Sequence, residues 1–393
     1  MTRTHGGGFT LIETLVACAL CAALMALVLA SLRPLHGLML AEPERDDLHQ
    51  RARVATDALG RALRGAGAGM LVGGTRGPIG RLVPAVFPYR VGEIRDDAAS
   101  GVRFRPGVFT TIGIPVTGAQ ATLREPAARG ASTLTLDWPA SCPPPGVVTV
   151  CGFGPGTHVL LFDRTGQWDV LTVASVVGST VTLETAGGVS GPYPAGAALA
   201  EVEVHSFSLA TDSSGIPRLL DYDGFRAEFP VVDHVTALQV DYFGEPRQPA
   251  RLGVSLSAPL GPWTTYGPAP PEPDVDVPDA WPTGENCMFA LSDGVHASRL
   301  PPLAPGSALV SMGRALLEDG PWCPDAGSRM SFDADLLRIR RIRIRIRVEA
   351  ASDGLRAGGA LFSRPGRSTS AERVVPDETF IIDVTPPNLA LGR

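Results

Sequence analysis

A charge-free run of about 18 residues, Leu15 to Leu32, stands near the start of this chain and constrains its fold more than anything that follows. At 1.5 Å per residue such a run spans most of a hydrocarbon core as a helix, so it predicts a membrane segment. In front of it lie a short basic leader, Met1 to Gly8 with Arg3 and His5, and then Phe9-Thr-Leu-Ile-Glu13. A secretory signal is cut after its apolar region, at small residues, and the apolar part is discarded. Here the small residues come first, so a cut among them leaves the apolar helix in place. Glu13 is the one acid in this stretch, and a carboxylate at the centre of a membrane helix costs about 2.5–3.5 kcal/mol unless it finds a partner. An amine created by a cut among those small residues, one helical turn away or on a neighbouring copy, is the obvious counter-charge.

Gly8-Phe9-Thr10-Leu11-Ile12-Glu13 resembles the processing motif of the type IV prepilin family residue for residue. The resemblance implies a membrane-embedded prepilin peptidase that cuts between Gly8 and Phe9 and methylates the new amine. It also implies retention of the apolar helix, with Glu13 as the assembly residue.

Beyond the membrane run, Pro34 and Gly37 are expected to interrupt the helix, with Pro43 a further weak point. The pattern then resumes, because Leu48, Ala52, Ala55, Leu59 and Ala62 recur at steps of four and three, one face of an amphipathic helix. Gly65 and Gly67 stop it. A long helix from about Phe9 to Arg64 follows, membrane-inserted in its first half and packed on a globular domain in its second.

The composition, with 45 Gly, 36 Pro and 44% hydrophobic residues, argues for many turns and short strands around a real core. The net charge of −6 provides no global attraction to nucleic acid. Lysine is absent, which removes P-loop, Schiff-base and Ser-Lys chemistry. The histidines are scattered without a metal-ligand spacing, and no nucleophile motif is found, so the reading is non-enzymatic, with no cofactor and no metal. Asp274-Val-Asp-Val-Pro-Asp279 lacks the turning glycine and closing glutamate of a calcium loop and reads as a solvated acidic stretch.

Of the six cysteines, Cys18 and Cys21 sit one turn apart in the apolar helix as small packing residues. Cys142 and Cys151 look like a loop closed on itself, and Cys287 with Cys323 would close a longer one, as suits an oxidising compartment. Segments such as Ser132–Asp137, His158–Phe162, Trp168–Val173 and Thr180–Leu183 are short, β-branched and about 10 residues apart, which predicts a small barrel or sandwich. The plainest strand is Arg338 to Val348, with period two: Ile342, Ile344, Ile346 and Val348 face inward and Arg341, Arg343, Arg345 and Arg347 outward. Such an arginine ladder suits either DNA phosphates or, more simply, acids on another strand such as Glu201 and Glu203. No aromatic residue interleaves with it in sequence, as single-strand binders usually require.

The order of Ile216–Leu220, Val231–Tyr242, the Arg/Ile strand and Phe380–Leu391 looks like the PilW-like minor pilins within the same family. That resemblance implies a minor pilin of a type IV pilus, incorporated into or priming the filament, with other major and minor pilins as partners. It places the chain in the inner membrane by a single pass, its globular part periplasmic, and then on the cell-surface pilus. The alternatives are a type II secretion pseudopilin, or a pilus-tip adhesin or DNA-binding protein that recognises a surface ligand. The expected class is α+β: a long N-terminal helix packed on an antiparallel pilin-like sheet, with an inserted small all-β domain. The expected divisions are a leader at 1–8, the helix at 9–66 (transmembrane about 9–32), and a connection at 67–98. They continue with the inserted β domain at 99–205, the pilin-like sheet at 206–245 and 335–393, and a Pro-rich insertion at 246–334.

Overall fold

The computed structural model describes residues 10–70, 83–88, 107–115, 119–137, 152–163, 167–184, 187–224, 227–247, 285, 287–323 and 332–390. Helix α1 (Leu11–Gly65) leads into β1 (Val86–Pro88) and β2 (Phe109–Gly113). Then come β3 (Gln120–Leu123), β4 (Thr133–Asp137), β5 (His158–Phe162), β6 (Trp168–Val177), β7 (Thr180–Leu183) and β8 (Ala198–Glu201). After them run β9 (Glu203–Thr211), β10 (Pro217–Tyr222), β11 (Glu228–Asp233) and β12 (Val235–Gly244). The last third holds β13 (Phe289–Ser292), β14 (Val295–Ser298), β15 (Val310–Met312), β16 (Trp322–Cys323) and β17 (Phe332–Asp333). It closes with β18 (Ile339–Val348), β19 (Glu378–Val384) and α2 (Pro387–Ala390). The class is α+β, as expected.

Helix α1 is continuous for 55 residues, through Pro34, Gly37 and Pro43, so the expected interruption does not occur. Each proline forfeits the ladder bond to the carbonyl four residues back. The leucines, methionine and alanine that surround the prolines are strong helix formers and carry the helix across. Its apolar face is buried at Leu48, Ala52, Ala55 and Leu59, as the periodicity predicts. The next buried side chain is Leu63 rather than Ala62, because a second step of four brings the larger side chain inward.

The chain divides into two compact units, Met1–Arg53 with Val348–Glu378, and Val54–Arg347 with Thr379–Arg393. In the first, the segment after β18 forms little regular structure beyond a 3-10 turn at Ala371–Arg373 and is held by charge. Glu349, fully buried, meets Arg356 at 3.5 Å and also pairs with Arg364. On α1, Glu44 accepts the N–H groups of Ala351 and Ser352, and His49 meets Glu378 at 2.9 Å.

In the second unit, the expected barrel or sandwich is a closed barrel of order β3-β4-β7-β6-β5-β8. Inward residues from every strand, including Leu134, Leu136, Val159, Leu161, Val173, Val181 and Leu199, fill it. Gly188 is required at its rim: φ is +64°, and a Cβ there would lie 2.4 Å from the carbonyl oxygens of Gly130 and Ala131. The barrel is inserted between β2 and β9, which pair with each other so that Gly113 faces Glu203. These two strands belong to a five-stranded sheet, β1-β2-β9-β10-β11, whose edge strand β11 carries Pro230, tolerated there because an edge residue need not donate. A second sheet has the order β15-β12-β18-β19. Residues 206–245 are therefore shared between two sheets, where the pattern alone suggested one.

The end of α1 is stitched into this unit. Gly67 N–H donates to the Ile112 carbonyl at 2.8 Å, and Ile114 N–H donates to Ala68 at 2.8 Å. Near the C-terminal end of the chain, the Asn388 amide nitrogen donates to the carbonyls of Arg64 (3.1 Å) and Ala66 (3.2 Å), two of the acceptors a helix end leaves without intrahelical partners. Asn388→Ala is expected to cost about 1–2 kcal/mol. Urea unfolding of the full chain in detergent should show it as a lower midpoint with an unchanged slope.

Candidate functional site

The apolar half of α1 supplies the site. Leu11–Ala30 is a 20-residue span, long and apolar enough to cross a membrane, and none of it is buried against the rest of the chain. Leu11, Leu20, Leu24, Met25 and Leu27 are all more than half exposed, and Cys18 and Cys21 lie free on the same surface. At its start, Thr10 and Glu13 form a reciprocal cap. The Thr10 N–H and hydroxyl donate to Glu13 Oε2 at 2.9 and 3.0 Å, and the Glu13 N–H donates back to Thr10 Oγ1 at 3.3 Å. The first ladder bond, Thr14 N–H to Thr10 carbonyl, follows at 3.2 Å. Two backbone donors that a helix start leaves unpaired are thereby satisfied from within the same turn. The spacing Thr-x-x-Glu ahead of an apolar run is the sequence signature of this cap. The sequence reading, which treated Glu13 only as an ion-pair partner, passed over it. Gly8 and Phe9 lie outside the described residues.

The arginine ladder is where the alternation placed it: Ile342, Ile344, Ile346 and Val348 are fully buried, and Arg341, Arg343, Arg345 and Arg347 half-exposed. Its partners differ from those expected. Arg343 meets Asp383 of β19 at 2.7 Å, with Arg341 at 3.8 Å from the same residue, and Arg345 meets Asp241 of β12 at 2.8 Å. Glu201 instead accepts the Ala119 N–H at 3.3 Å in the barrel. An aromatic residue does contribute, from the neighbouring strand: Arg341 and Arg343 lie 4.4 and 5.5 Å from the Phe243 ring centroid. Acids on adjacent strands of the same sheet are closer than any the linear order could indicate, which is why the partners were misassigned.

Cys287 and Cys323 are joined, Cα to Cα 5.2 Å, and both are buried. Cys142, Cys151 and the Asp274–Asp279 stretch fall outside the described residues. Beside Cys323, carboxylate oxygens of Asp319, Asp333 and Asp335 lie within 4.8 Å of one another. The two buried members have internal partners. Asp333 accepts the N–H groups of Gly320 (2.6 Å) and Asp335 (2.8 Å), and Asp335 pairs with Arg338 Nε at 2.6 Å. Burial pushes Asp333 up to about 6 and Asp335 up to about 7. Neither these acids nor the inward-facing Arg338 and Arg340 were anticipated, although the period of two carried back from Ile342 does put both arginines on the buried face.

Residues 3–29 match the family model described as the prokaryotic N-terminal methylation motif. No curated protein matches the chain.

Proposed function

We propose that this chain, type IV pilin-like at its N-terminus, is a minor pilin cut by prepilin peptidase between Gly8 and Phe9 and built into a pilus through its apolar stem. One observation carries the reading: an apolar span exposed along its whole length begins inside the matched methylation motif. A stem of this kind has to be covered, by lipid before assembly and by other stems afterwards. Glu13 is then the charge that selects a neighbour, because its carboxylate lies among apolar side chains where an ammonium is the best partner available. The large β-rich body favours a low-copy position over the main filament lattice, since a body of this size packs poorly at every lattice point. The inner membrane holds the precursor, and the pilus carries the product.

Mass spectrometry of the N-terminus tests the first step and should find methylated Phe9. An intact Met1, or a cut beyond Ala30, overturns the reading. Glu13→Ala is expected to leave the cut intact and to lower recovery in sheared filaments at least about tenfold, the loss of a membrane-buried ion pair being worth more than 1.4 kcal/mol. Undiminished recovery would show that the acid has no part in assembly.

A further inference from the structure

We propose that Thr10 is a positioning residue for Glu13: by binding one carboxylate oxygen it presents the other, already oriented, to an incoming cation. The inference rests on the pilin reading above and deepens it. Both Thr10 donors converge on Oε2, at 2.9 Å from the backbone nitrogen and 3.0 Å from the hydroxyl. Among the described residues, Oε1 receives no hydrogen bond. A glutamate side chain otherwise samples several rotamers about three torsions, and only some of them aim an oxygen away from the helix. The reciprocal bond from Glu13 N–H to Thr10 Oγ1, 3.3 Å, ties the two side chains to the same turn. The carboxylate thus meets a partner with one oxygen committed and one available.

The arrangement has a second consequence, in time. Both donors to the carboxylate belong to Thr10, which lies on the retained side of the Gly8–Phe9 bond, so the cap exists before and after the cut. Before it, no free amine is present in the apolar segment and Thr10 alone stabilises the acid. After it, the same geometry offers Oε1 to an ammonium without having to be rebuilt. Serine at position 10 preserves both donors and the acceptor. Valine keeps the shape and the N–H but removes the hydroxyl as donor and as acceptor.

The test uses the full chain in its own membrane with three variants, Thr10→Ser, Thr10→Val and Glu13→Gln. N-terminal mass reports the cut, and quantitative recovery in sheared filaments reports incorporation. Infrared difference spectra of the purified chain in detergent micelles, wild type minus Glu13→Gln, isolate the Glu13 carboxylate band. Thr10→Val should be cut normally, shift that band, and be recovered at least about tenfold less than wild type, as expected for loss of the hydroxyl's hydrogen bond to a charged group. Thr10→Ser should match wild type in all three. Normal recovery of Thr10→Val, an unshifted band in that variant, or a Thr10→Ser defect as deep as that of Thr10→Val overturns the proposal. A wild-type chain that is never cut after Gly8 removes the pilin reading instead, while the infrared arm still reports on the Thr10–Glu13 pair.

Discussion

Arg338→Ala is expected to cost about 3–5 kcal/mol, the range for removing one partner of a buried ion pair. Arg338 is fully buried, and its guanidinium holds three elements at once. Nη1 donates to the Pro246 carbonyl at 2.9 Å, Nη2 to Pro301 at 2.8 Å, and Nε lies 2.6 Å from Asp335. Alanine would leave the buried Asp335 carboxylate without its cation and the Pro301 carbonyl without this donor, while the Pro246 carbonyl keeps the Leu303 N–H. The loss depends on pH, and the sign follows from the acids. Burial raises Asp335 to about 7 and Asp333 to about 6, above the ordinary carboxylate value, and the same burial lowers Arg338. Both directions show that desolvation outweighs the mutual attraction. A folded-state value above the unfolded one contributes stability that is fully present below about pH 4 and is lost as pH rises through 6 to 7. Removing Arg338 takes away the charge that opposes the upward shift of Asp335, so the variant should be hurt more at pH 8 than at pH 5. Urea midpoints at the two pH values, followed by tryptophan fluorescence, would show it. An equal loss at both would mean that Arg338 acts only through its two carbonyl partners.

Replacing Cys287 and Cys323 together by alanine should have an effect of similar size. The bond closes a loop with a sequence separation of 36, for which the chain-entropy relation gives about 3.8 kcal/mol at 25 °C. Inside that loop lie the two-stranded pair β13 with β14, a 3-10 turn at Arg314–Leu317 and β15, which joins the edge of the four-stranded sheet, while β16 at its end pairs only with the short β17 that follows. Two-stranded pairs of this length are marginal alone. The double variant should therefore lose hydrogen-exchange protection in β13, β14, β16 and β17 before the barrel does. Uniform loss across both, or no loss, would show that the bond is dispensable for this lobe.

How far the sequence disclosed this molecule depended on whether a signal was local. The stem was legible because a membrane run and a 3.6-residue period depend only on neighbours along the chain. Even there, Pro34 and Pro43 misled, since a proline's cost is set by the helix formers around it as well as by its own missing donor. The barrel was legible as a class from strand length and spacing, and β18 from its period of two. The partners of Arg343 and Arg345 were not, because strand order places Asp383 and Asp241 beside them from 40 and 104 positions away. Arg338 and Arg340 are in phase with the buried isoleucines, and what lets arginines stand there, Pro246, Pro301 and Glu245, is distant in sequence. At the proposed site itself, the Thr10–Glu13 spacing was in plain view and simply read for charge alone.

The meeting of Gly113 and Glu203 across β2 and β9 has a consequence for how such a chain can change. Paired residues on antiparallel strands have Cα atoms about 4.5–5.5 Å apart, so the host sheet experiences the whole barrel as it would a tight hairpin connection. The barrel is a graft on a socket with two adjacent joins, and its surface can drift, or the whole module be exchanged, while the register of the host strands stays fixed. Novelty in this molecule has a ready place to accumulate without touching the residues that match the methylation motif.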